Sequence, residues 1–168
     1  MVVDSSDYKK DVHSEGFQCS AHDFPLDLTS SFRSSVVATF QNLADVDVFD
    51  QAPPMDQSAS PYRGVILIRA EDMRTKLDFV PGFWSAKADA TVELDAGMIV
   101  TGKSGRLIGT RASGSGNEVG DAGMYCGGSS VVISHAAESA MKNLLGTLGE
   151  RFANAPQIRG EKISQNSN

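Results

Sequence analysis

No apolar run in the chain approaches the ~20 residues that a membrane-spanning helix needs, so no transmembrane segment is expected. Positive charge is also in short supply: 15 lysines and arginines stand against 21 acidic residues, a formal net charge of −6. The basic residues are scattered rather than clustered. A general nucleic-acid binder needs a lysine and arginine surface to displace counterions from phosphates, so nucleic acid is not the expected partner. Cysteine is limited to Cys19 and Cys126. A secretory leader is not visible either, because Met1 is followed by Val2, Val3, Asp4 and polar residues instead of a basic stretch and an apolar core. Two readings follow from that start: a cytoplasmic protein, or a mature chain whose export segment has been removed.

Signatures of chemistry are equally sparse. "GSGNEVG" supplies Gly114, Gly116 and Gly120, but the spacing is not that of a dinucleotide fingerprint and Glu118 would repel a pyrophosphate; a flexible connection is expected. "TGKSGR" contains Gly-Lys-Ser without the upstream glycine of a phosphate-binding loop, and reads as a hairpin turn. Ser134 and His135 are adjacent in a helical stretch, where side chains one residue apart do not face each other. Cys19, His22 and Asp23 are metal-ligand types, yet one Cys-x-x-His without a second matched pair is weak evidence for zinc. No metal, cofactor or catalytic residue is expected.

What is present is a globular composition, 40% hydrophobic and 21% charged over 168 residues. A chain of that length buries roughly 70% of its unfolded surface around one core. Phe32, Val36, Val37, Phe40 and Leu43 recur at helical spacing, predicting a helix over 30–43 capped by Thr29 or Ser30. "DVDVF" alternates like a half-buried strand at 45–50. "DQAPPMDQSASPY" should cross the surface as a loop. "GVILIRA" reads as a central strand buried on both faces, and "MRTKLDF" as a stretch with one wet and one dry face. From Ala86 to Val100 every second residue is apolar, which predicts a long antiparallel strand whose partner is "RLIGTRASGSG". The small Ala86, Ala88 and Ala90 suggest a helix packed closely over that end. A second helix, 130–154, carries the stripe Val132, Ile133, Ala136, Ala137, Ala140, Met141, Leu144, Leu145, Leu148 and Phe152, with Ser129 or Ser130 as its cap. It should stop before Pro156.

These elements predict an α+β fold: a mainly antiparallel sheet with two helices packed on one face, in a single domain over 1–156, followed by a polar tail over 157–168. Both cysteines fall in connections ahead of a helix. A Cys19–Cys126 disulfide accounts for both at once; it would clamp the entry of both helices and would place the protein in an oxidising compartment. Unlinked thiols are one alternative. The other is a thiolate at Cys126, helped by the helix N-terminus, with His22 or His13 as base.

In "FPLDLTSSFRSSVVATF", the hairpin "ATVELDAGMIVTGKSGRLIGTRASGSG" and "CGGSSVVISHAAESAMKNLLGTLGERFANAP", the chain resembles small periplasmic or outer-membrane lipoproteins of Gram-negative bacteria. Auxiliary lipoproteins of ABC-type lipid transport and accessory lipoproteins of envelope secretion and cell-wall assembly share this order of elements. The chain departs from them in lacking a lipobox cysteine near Met1. The resemblance implies a non-catalytic periplasmic accessory protein, with a lipid anchor in the full-length chain and a protein partner in a cell-envelope assembly. Exposed sheet edges, Pro53 and Pro54 in the proline-rich loop, and Phe83 and Trp84 in "FVPGFW" are the expected interaction surface; the bland reading of the two aromatics is that they fold back onto the core. The rival reading is a cytoplasmic α+β enzyme or ligand-binding domain using Cys126.

Overall fold

The alternation from Ala86 to Val100 becomes the middle of a sheet. In the structure, a computed structural model that describes residues 1–15, 19, 21–53, 62–82, 86–103 and 105–159, this stretch forms β5 (Lys87–Gly102). Its inward side chains Ala88, Ala90, Val92, Leu94, Ala96, Met98 and Val100 are all buried. It pairs antiparallel with β4 (Gly64–Val80) on one side and β6 (Gly105–Asp121) on the other. Gly102 and Gly105 close the β5–β6 hairpin, Gly105 at a φ of 117° that favours glycine. β1 (Val2–Asp4) adds in parallel along β4, giving the order β1-β4-β5-β6. β2 (Lys9–His13) and β3 (Asp23–Asp27) form a separate hairpin.

Two helices cover one face of the four-stranded sheet, α1 (Thr29–Gln41) and α2 (Ser129–Ala153). The α+β architecture expected from the periodicities is thus the observed one. Phe32, Val36 and Phe40 of α1 and the whole expected stripe of α2 are buried. Phe40 meets Phe152 edge to face at 5.2 Å, joining the two helices. Beyond α2, α3 (Pro156–Arg159) sets Ile158 against the core; residues 160–168 lie outside the described residues.

Several local expectations are corrected. "GVILIRA" and "MRTKLDF" belong to one strand, β4, and it is not buried on both faces. Ile66, Ile68 and Ala70 are buried, whereas Leu67 is 36% exposed and Arg69 is exposed, because helices cover only one side of the sheet. A bulge between Ala70 and Asp72 then shifts the inward set from even to odd positions, so that Met73 and Leu77 take over the core face. The stretch 45–50 forms no strand. Phe49 alone makes a bridge to Val2, since β1 is three residues long and offers little edge, while Val46 and Val48 pack against the core.

The expected serine and threonine caps are also absent. Leu28 and Gly128 occupy the cap positions, and neither helix has a side-chain cap bond. At α1 the carboxylate of Asp27 takes over: it accepts the Thr29 N–H at 3.0 Å and the Thr29 hydroxyl at 2.6 Å. These bonds hold its carboxyl below the usual range. At α2, Ser130 Oγ donates to the Gly127 carbonyl, and Ser129 is fully buried with no partner for its Oγ among the described residues.

The largest correction concerns "GSGNEVG". It is not a flexible connection but the second half of β6, lying under α2. A Cβ on Gly114 would fall 2.2 Å from the Ala140 carbonyl oxygen, so the glycine lets the helix backbone rest directly on the strand.

Candidate functional site

Cys126 ends a 3-10 turn, Met124–Cys126, between β6 and α2, and Cys19 lies in the turn joining β2 to β3. The two are linked in a disulfide, with Cα atoms 6.2 Å apart across 107 positions of sequence. The bridge does not clamp the starts of both helices, as its place in the sequence suggested. β3 intervenes between Cys19 and α1, so the bond ties the tip of the β2–β3 hairpin to the start of α2. Cys19, Tyr125 and Cys126 are the non-glycine residues with positive φ among those described, and all three sit at this junction. Such backbone persists where its surroundings over-determine it, and a covalent bond does so here.

The disulfide decides the fate of the neighbouring candidates. The Cys126 sulfur is engaged in a bond and is not a thiolate. His13 faces Asp23 at 2.9 Å across the β2–β3 pair, and the His22 ring lies 6.4 Å from that of Phe24. Cys19, His22 and Asp23 therefore each have other neighbours. His135 is exposed on α2. Pro53 is half-buried, while Pro54, Phe83 and Trp84 lie outside the described residues.

The residue that sequence reasoning missed is Tyr125. It is 84% exposed, held out by its left-handed backbone beside the bridge. Val131, in the first turn of α2, and Val80 and Val119, at the adjoining end of the sheet, are also exposed. This end of the fold thus displays apolar side chains around a covalently fixed turn. A lone tyrosine between Met124 and Cys126 carries no such signal in the sequence, because its exposure comes from backbone conformation rather than periodicity.

Two further surfaces have shape. A groove of about 1090 Å³ runs between α1 and α2, with Ala38, Leu43, Met141 and Leu145 along it and the Glu138–Lys142 ion pair at its rim. On the opposite side, the sheet face that no helix among the described residues covers is charged. Arg74 bridges Glu93 at 3.2 Å and Asp95 at 2.8 Å, and Lys76 pairs with Asp78 at 2.8 Å, a bond that raises the lysine's pKa. Toward the β5–β6 turn the same face holds a depression of about 610 Å³. There the register sets Gly97 between Arg69 and Arg111, and Ile99 between Leu67 and Gly109. The outer edge of β6 is tended by α2: Asn143 donates to the Ser115 carbonyl at 2.7 Å and Arg151 to the Arg111 carbonyl. Covering edge carbonyls in this way blunts unwanted strand pairing.

No helix among the described residues is long and apolar enough to cross a membrane. No family model matches the chain, and no curated protein matches it. Among solved structures, a hypothetical protein from Chlamydia trachomatis is similar to it with a TM-score of 0.42 at 7% sequence identity, over 89% of this chain and 95% of that one.

Proposed function

We propose that the chain is a non-catalytic interaction module of the periplasm, an accessory protein that docks onto a larger cell-envelope assembly. The observation that carries this reading is the Cys19–Cys126 disulfide, together with what it holds in place. Cytosolic thiols are kept reduced, so a structural disulfide favours an oxidising compartment. This bond fixes the turn that presents Tyr125 to solvent. Exposed aromatic residues on pre-organised backbone are the usual anchors of protein interfaces. The resemblance to envelope lipoproteins adds a lipid anchor on a longer precursor to the same proposal.

The test places a photo-crosslinking phenylalanine analogue at position 125 in the source cells, with fractionation and non-reducing electrophoresis alongside. A discrete adduct with an envelope protein, on a chain that is oxidised and extracytoplasmic, is the expected result. A chain found in the cytosolic fraction with both thiols open to alkylation in vivo would overturn the proposal.

A further inference from the structure

The depression on the uncovered sheet face gathers charge that the sequence keeps apart. Arg69 comes from β4 and Arg106 and Arg111 from β6, and the sheet register brings them around one shallow floor. Two glycines make the room. Gly97 has no side chain between Arg69 and Arg111, and the Glu71 carboxylate lies over it, 2.6 Å from where a Cβ would sit, while contacting Arg111 at 3.1 Å. Gly109 has no side chain beside Ile99, and the Arg106 guanidinium lies across it, 1.7 Å from the position of a Cβ. Arg69 reaches Asp4 at 3.3 Å, whereas Arg106 makes no ion pair among the described residues. Leu67 and Ile99, 36% and 37% exposed, supply an apolar base.

We infer that this depression is a docking seat for an acidic, extended segment of a protein partner, and the inference rests on the interaction-module reading above. Three arginines against the carboxylates of Glu71 and Asp4 leave a net positive patch, with Arg106 as its excess charge, on a chain whose formal charge is −6. The complementary partner surface is therefore anionic. Arginine forks match carboxylates bidentately, and Glu71 over Gly97 already shows a carboxylate seated against Arg111. The floor is a sheet face, open on the outside, with Arg69 and Arg111 two strand spacings apart, or about 10 Å. A free small anion gains little burial on such a surface. A segment with two or more carboxylates spans it and places apolar side chains on Leu67 and Ile99.

Binding of fluorescein-labelled hexaglutamate to the purified, oxidised chain at low ionic strength tests the seat, with inorganic phosphate as competitor. The peptide should bind with an affinity that falls steeply with salt. The combined Arg69→Ala, Arg106→Ala, Arg111→Ala variant, checked for an unchanged melting transition, should bind at least about tenfold more weakly. Glu71→Gln, which removes the internal competitor, should bind several-fold more tightly. Absence of peptide binding, undiminished binding by the triple variant, or displacement by phosphate at the same concentration as by unlabelled peptide would each overturn the proposal. A crosslink from position 125 probes the opposite end of the fold. An adduct there without hexaglutamate binding here retires the acidic seat and leaves the interaction-module reading standing.

Discussion

The carbonyl oxygen of Ala136 stands 2.1 Å from the point where a side chain on Gly116 would begin. That contact between α2 and β6 is backbone on backbone, with no flexible side chain to yield. Gly to Ala in a strand interior ordinarily helps, by roughly 0.5–1 kcal/mol. Here Gly116→Ala is expected to destabilise by about 1–3 kcal/mol or more, because the helix must lift from the sheet. Urea unfolding of the variant reads the sign directly, and a stabilised Gly116→Ala protein would show that the helix does not rest on the strand.

Reduction of the Cys19–Cys126 bond should lower stability substantially. The bond closes a loop across 107 positions, and in the chain-entropy model a loop of about a hundred residues contributes up to ~4–5 kcal/mol, less any native strain. Thermal melts with and without reductant measure the loss. A thiol titration of the denatured, unreduced chain should find no free thiol.

Tyr8 gives the chain a pH limit on the alkaline side. Its ring is fully buried against Phe32, and its hydroxyl donates to the Asp95 carbonyl at 2.8 Å. Burial first, then the charges of Asp95, Glu71 and Asp72, push its pKa up from the ordinary value near 10. The unfolded chain therefore releases this proton before the folded one does. The stabilisation is complete below about pH 10 and is lost as the pH rises through the folded-state value. Tyr8→Phe should cost about 1–2 kcal/mol at neutral pH through the lost hydrogen bond, while flattening the alkaline limb of a stability profile.

Ser129→Ala should be neutral or stabilising. A hydroxyl that capped α2 would be worth about 1 kcal/mol. Ser129 is instead fully buried with its Oγ unpartnered, so its removal relieves a desolvated donor. A loss of about 1 kcal/mol in chemical denaturation would mean that the hydroxyl has a partner after all.

Periodicity made the core legible. The alternation along β5 and the stripe of α2 are statements about one covered face, and both survive intact in the fold. What escaped depends on relationships between distant segments. The inward set of β4 changes parity at Glu71, which marks a bulge only once the partner strand is known. Gly114 and Gly116 looked like slack because glycine is read first as freedom, whereas here its missing side chain is what matters. Cys19 and Cys126 pair as their positions suggested, yet the element held is the β2–β3 hairpin rather than α1. The arginines of the sheet-face depression stand at 69, 106 and 111, and only the β4–β5–β6 register makes them neighbours.

The same cross-link also fixes how the molecule bears mechanical tension. A pull between the N-terminal strand and α2 travels covalently along the first hairpin to Cys19, crosses to Cys126 and enters the helix. The stretch between the two cysteines, with α1 and the three long strands, hangs from that path as a side loop. While the bond is intact, the covalent load between Met1 and α2 bypasses β4, β5 and β6. Reduction would put those strands in series with it.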